Sequence, residues 1–161
     1  MNISIENSEK SDGEMIWNLI RETGGLDINS SYCYFMLGEY FSATCAKAID
    51  GDSGEILGFL SAFIKPCTSN CLFVWQVCVS SKAQGLGIAK RMINYILTST
   101  PEIKFIETTI GPSNKASDAL FRAIAKMHDA RVSTSVFLDH NEFTLGAHET
   151  ELLYKIGPFK N

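Results

Sequence analysis

Apolar residues follow two rhythms along this chain, one of about 3.6 residues and one of two, and the changes of rhythm mark its elements. After Ser11, the positions Met15, Ile16, Leu19 and Ile20 repeat at helical spacing. Ser11 with Glu14 has the pattern of a capping box, so a helix is predicted from there to Thr23-Gly24-Gly25. The polar loop Leu26-Asp27-Ile28-Asn29-Ser30-Ser31 leads to Tyr32, Tyr34, Phe35 and Phe41, read as a short second helix starting near Ser31. Residues 43–49 and 55–65 read as strands joined by Asp50-Gly51-Asp52-Ser53-Gly54. The run Leu72-Phe73-Val74-Trp75-Gln76-Val77-Cys78-Val79 is almost continuously apolar, as a central strand buried on both faces should be.

A helix is predicted from about Gly87 to Ser99, with Ile88, Met92, Ile93 and Ile96 on one face and Pro101 closing it. A strand over 104–110 follows, and Gly111-Pro112-Ser113 turns into another helix. Its apolar face reads Ala116, Ala119, Leu120, Ala123, Ile124 and Met127. Strand-like segments at 134–138 and 149–156 complete the chain. Two helices, a strand meander and then β-α-β-α-β-β predict an α/β protein with helices packed on a mixed sheet. No repeat or linker interrupts the pattern, so a single domain over 1–161 is expected.

Composition narrows the classes. Hydrophobic residues make up 45% and charged residues 20% of the chain, which is globular rather than disordered usage. No apolar run approaches the ~20 residues that span a bilayer, and residues 1–10 lack a signal pattern, so a cytoplasmic protein without a membrane role is expected. Five cysteines, Cys33, Cys45, Cys67, Cys71 and Cys78, form an odd set without metal-ligand spacing and read as free thiols. No metal is expected. The net charge of −4, from 14 basic and 18 acidic residues, comes with no basic stripe. That argues against nucleic acid and suits a cationic substrate.

The most informative stretch runs from Val77 to Lys90, where a buried strand feeds the loop Gln84-Gly85-Leu86-Gly87 and a helix N-terminus. Unpaired N–H groups and the helix dipole favour an anion there, and glycines let it approach the backbone closely. A phosphate loop ending in Gly-Lys-Ser/Thr is absent, and the third glycine of a dinucleotide fingerprint is replaced by Lys90. The pattern Gln/Arg-x-x-Gly-x-Gly/Ala of acyl-CoA pyrophosphate loops is met in full by Gln84, Gly87 and Ala89. A plain strand-to-helix turn is the bland alternative.

With this loop in place, the chain resembles the GNAT acetyltransferases, and among them the diaminobutyrate acetyltransferases of ectoine biosynthesis. The resemblance covers about residues 12–156. It rests on Leu26-Asp27-Ile28-Asn29-Ser30-Ser31-Tyr32, Phe73-Val74-Trp75-Gln76-Val77, Gln84-Gly85-Leu86-Gly87, Glu107-Thr108-Thr109 with Pro112-Ser113-Asn114, and His148-Glu149. It implies a mixed, mostly antiparallel sheet with helices on both faces. It also implies acetyl transfer from acetyl-CoA to the 4-amino group of L-2,4-diaminobutyrate, directly in a ternary complex, and a homodimer. In that fold the strand ending at Val79 splays from the next one, and the CoA arm lies in the gap. Val77 and Val79 would then bond the arm, and Gln84, Gly85, Gly87, Ile88 and Ala89 the pyrophosphate. Asn114 is either a CoA contact or a helix cap.

The chemistry requires a neutral amine, although a free alkylammonium has a pKa of roughly 10. The site therefore needs a proton acceptor and a donor for the tetrahedral oxyanion, for which the Val77 N–H is expected. Many GNAT enzymes use a tyrosine to protonate the leaving thiolate. Leu120-Phe121 stands at that motif here, and phenylalanine cannot donate. Asp27 is the candidate for gripping an ammonium, with Tyr32 beside it, unless Asp27 merely caps a helix. Trp75 either walls the substrate or is a core residue. Thr109 is placed in the substrate pocket by the resemblance. Glu149 and Glu151 read as alternating on the last strand, either a catalytic pair or a solvated face. Glu107 and His148 are weaker candidates of the same kind. Two other readings stay open: the same fold acting on another small amine, and a non-catalytic acyl-CoA-binding module.

Overall fold

The computed structural model describes residues 2–144, 146 and 148–160. Among the described residues the strands form a mixed sheet in the order β1-β2-β3-β4-β5-β7-β6, with four α-helices. The residues group into two compact units, one of Met1–Phe63 with Val74–Thr100, the other of Ile64–Phe73 with Pro101–Asn161.

In the first unit, β1 (Ile3–Asn7) pairs antiparallel with β2 (Ala46–Asp50), which pairs antiparallel with β3 (Ile56–Ile64). β1 was not anticipated, although Ile3 and Ile5 alternate with polar neighbours. The helices α1 (Gly13–Thr23) and α2 (Ser31–Tyr40) pack on one face of these strands. There Ile16, Ile20, Tyr34 and Leu37 meet Cys45, Phe59 and Cys78. The opposite face carries α3 (Ile88–Ser99), since Gly58, next to Phe59, lies against Ile88 and Met92. Successive strand residues point to opposite faces, so this unit has helices on both.

The start of α1 differs from expectation. The capping box is formed by Glu9 and Asp12 around a 3-10 turn, not by Ser11 and Glu14. Asp12 wins because its buried carboxylate accepts from both Glu9 N at 2.6 Å and the buried Lys47 Nζ at 2.7 Å. Removing one member of such a pair would leave an uncompensated buried charge, a loss of about 3–5 kcal/mol.

β4 (Cys71–Val79) is not buried on both faces. Leu72, Val74, Gln76 and Cys78 are buried, whereas Phe73, Trp75, Val77 and Val79 stay partly open. A nearly continuous apolar run therefore conceals a period of two, broken only by the one buried amide.

In the second unit, the first residues of β4 pair in parallel with β5 (Phe105–Ile110), from Cys71↔Phe105 to Phe73↔Glu107. β5 pairs antiparallel with β7 (Glu151–Gly157), and β7 with β6 (Arg131–Leu138). The helix α4 (Lys115–Met127) packs on one face, its Asp118 accepting from Tyr154 Oη at 2.8 Å. Its buried residues are Phe121, Ile124 and Ala125, while Met127 is exposed. The apolar face is thus turned about one residue from the alanine-based stripe, because the bulkier Phe121 gains more from burial.

Candidate active site

The loop between α1 and α2 brings Asp27 to β4. Gln76 Nε2 donates to the Asp27 carbonyl at 3.3 Å, and Trp17 Nε1 donates to the Asn29 carbonyl at 3.0 Å. The Asp27 residue itself is exposed, as is Tyr32 on the first turn of α2. Trp75 is 43% exposed, so the reading of it as a core tryptophan does not hold. Val77 and Val79 lie on the same partly open face of β4 as Trp75. Gln76, to which no motif in the sequence gives a role of its own, is buried on the other face. The only signal for it was a lone amide in an apolar strand.

The Gly-rich loop has the backbone an anion site requires. Gly85 and Gly87 hold φ of +79° and +70°, a region that side chains other than glycine rarely adopt. Nothing lies within 4 Å of where a Cβ on Gly85 would stand. Gly87 caps α3, its carbonyl accepting from Arg91 N at 3.0 Å, so the N–H groups of the first turn are left without helical acceptors. No acidic side chain occupies that turn. Gln84 is exposed, whereas the Ile88 side chain is buried, leaving Ile88 and Ala89 to act through their backbones. These features fit the diphosphate of a CoA ester.

The second unit brings Thr109 and Glu151 to one face of the β5–β7 ladder. Thr109 stands opposite Leu153, and Glu151 lies two residues before Leu153 in β7, on the same side. Glu149 does not share that face, because the strand begins only at Glu151. Its carboxylate fills the space beside Gly111 and accepts from Ser113 N at 3.1 Å and Ser113 Oγ at 2.7 Å. A side chain so engaged cannot continue the strand's alternation.

His148 Nδ1 lies 2.8 Å from the Glu149 carbonyl, which can only accept, so Nδ1 is the donor in that bond. Nε2 lies 4.0 Å from Glu151 Oε1, and the ring stacks on Phe143 at 3.9 Å. Asn114 caps α4, its side chain accepting from Ser117 N at 3.0 Å. Phe121 is a buried core residue. Tyr154 is committed to Asp118, and burial pushes its phenol pKa up. Glu107 is buried and held by Lys65 at 2.6 Å, with Lys155 at 3.7 Å, an ion-pair role rather than a free base. Among the described residues, no cluster of His, Cys, Asp or Glu could hold a metal ion.

Residues 15–125 match the acetyltransferase (GNAT) family. The chain is 43% identical to an L-2,4-diaminobutyric acid acetyltransferase of Methylotuvimicrobium alcaliphilum, over 92% of this chain and 86% of the relative. It is 40% identical to one from Shouchella clausii, over 93% and 84%. The diaminobutyrate acetyltransferase EctA from Paenibacillus lautus, solved with L-2,4-diaminobutyric acid and coenzyme A, superposes with a TM-score of 0.93 at 42% identity. That match covers 99% of this chain and 97% of the other. The chain belongs to the diaminobutyrate acetyltransferases of the GNAT family. It is an acetyltransferase with the GNAT fold, as the resemblance implies.

Proposed function

We propose that this chain transfers the acetyl group of acetyl-CoA to the 4-amino group of L-2,4-diaminobutyrate, giving N4-acetyl-L-2,4-diaminobutyrate and CoA, a step of ectoine biosynthesis. The observation that carries this reading is the likeness to the Paenibacillus lautus enzyme, whose structure holds that diamine and coenzyme A. The Gly85–Gly87 loop binds the diphosphate. The backbone at Val77 and Val79 holds the pantetheine arm, and the Val77 N–H receives the oxyanion as the amine attacks. Asp27 and Tyr32 bind an ammonium group beside Trp75, and Thr109 and Glu151 are the further substrate-binding residues of this reading.

Glu151 takes the proton from the attacking amine, with His148 as the second candidate for that task. Glu149, tied to Ser113, shapes the turn before α4 instead, and Asn114 serves as a cap. The thiolate leaves unassisted, because Phe121 has no proton to give.

The reading includes direct transfer in a ternary complex, a cytoplasmic location and one functional domain. Among the described residues no helix is long and apolar enough to cross a membrane. It also includes a homodimer. β6 stands at the end of the strand order, is exposed along most of its length and presents Val136 and Phe137, 61% and 51% exposed. An open edge of this kind invites pairing with a second copy. Light scattering after gel filtration should give twice the chain mass, and Phe137→Lys should lower it; a monomeric parent protein would remove the dimer from the reading.

The deciding assay follows CoA release with acetyl-CoA and L-2,4-diaminobutyrate and locates the acetyl group by NMR. Acetylation at the 4-nitrogen is the expected result. Turnover with ornithine or polyamines alone would keep the chemistry and overturn the substrate. CoA binding without turnover of any amine would favour a binding module.

A further inference from the structure

Four groups in the first unit form a hydrogen-bonded chain whose direction is fixed by its last member. The Asp27 carbonyl can only accept, so the Gln76 amide must turn Nε2 towards it, at 3.3 Å. Gln76 Oε1 therefore faces Tyr34 Oη at 3.3 Å, and that hydroxyl must donate. The Tyr34 oxygen then accepts from Asn29 Nδ2 at 3.5 Å. Asn29 and Asp27 belong to the same loop, so the chain closes on itself through one side chain from α2 and one from β4. Tyr34 is fully buried, and Gln76 is 5% exposed. The backbone N–H of Gln76 donates to Ser61 Oγ at 3.1 Å, and the Tyr34 ring packs edge-on against Phe59. Each contact anchors a member of the chain to the sheet.

A buried amide in an otherwise apolar strand face would cost stability if its two ends were not used. Here both ends are used, and one holds the backbone of a residue whose own side chain is exposed. We infer that Gln76, oriented by Tyr34, is a positioning residue that fixes the direction in which Asp27 presents its carboxylate to the cationic acceptor. This rests on the reading of Asp27 as the ammonium-binding residue. Gln76 touches the loop backbone and not the carboxylate, so its effect reaches the acceptor only through the loop. Loss of the amide donor frees the carbonyl, and the carboxylate then samples several directions instead of one.

The substitution Gln76→Glu keeps the shape and the acceptor for Tyr34 but removes the donor to Asp27. It should raise the KM for the diamine about ten-fold, leaving kcat and the KM for acetyl-CoA within about two-fold. Tyr34→Phe, which preserves the ring packing, should raise the same KM by about three-fold. Asp27→Asn is measured alongside, with the melting temperature of every variant. If Asp27→Asn raises the KM for the diamine and folded Gln76→Glu and Tyr34→Phe do not, the inference is overturned and the Asp27 reading stands. If both KM values and kcat shift together as the melting temperature falls, the chain is scaffold only and the inference is overturned. If Asp27→Asn leaves the KM unchanged, the Asp27 reading fails and the inference falls with it. Should Gln76→Glu not fold, Tyr34→Phe decides by the same split.

Discussion

Burial holds Cys45 and Cys78 as thiols, lifting their pKa from an ordinary 9.0 to about 11 and about 12. Below the ordinary value, folded and unfolded chains both carry neutral thiols, and these residues make stability no more sensitive to pH. Above it the unfolded chain ionises first and gains free energy that the folded chain does not, so stability falls as pH rises through the folded values. Urea midpoints should therefore drop between about pH 8 and pH 10.5, and less so in a Cys45→Ala, Cys78→Ala variant. An equal drop in both proteins would show that other groups dominate. Asp27 stood out through the block Leu26-Asp27-Ile28-Asn29-Ser30, one of those that carry the resemblance. The Gln76–Tyr34 bond did not, since it joins positions 42 residues apart and neither type of side chain announces the other.

Among the elements, periodicity located α1, α2, α3 and α4 and the central strands to within a few residues. It failed where two signals overlapped. In α4 the alanines imitated an apolar stripe, although alanine gains little from burial, and the heavier Phe121 set the true face. At the last strand, Glu149 and Glu151 have the spacing of strand neighbours, but the pull of Glu149 towards Ser113 ends the extended run. Asn114 offers a test at this scale. As a cap it should cost about 1 kcal/mol of stability on replacement by alanine, with the KM for acetyl-CoA unchanged. A raised KM at unchanged stability would make it a ligand contact. At the entrance to α3, Gly87→Val forces a branched side chain into a left-handed conformation, a strain of about 1–2 kcal/mol relieved only by moving the loop. The KM for acetyl-CoA should rise steeply, and that for the diamine should stay near its parent value. Equal rises in the two would contradict a loop dedicated to the diphosphate.

For the molecule as a whole, the order of elements after β1 was legible because most strands and helices are short and set apart by turn residues. The division into two units was not, because no linker or change of composition marks it. The chain enters the second unit at Ile64, returns to the first at Val74 and leaves it for good after Thr100. Synthesis meets this arrangement one residue at a time. Once Thr100 has cleared the ribosome, every segment of the first unit is available, including the Gln76 chain and the Gly-rich loop. The second unit must wait for β7, its inner strand, which is made almost last. Translation at about 5–20 residues per second leaves an interval of several seconds in which residues 64–73 are out without their later partners. Ribosome-bound chains stalled with Thr100 just exposed should therefore already protect the first unit from brief proteolysis, while cutting at the Pro66–Asn70 turn persists until β7 emerges. Uniform sensitivity until the chain is complete would mean that neither unit gains order before the other.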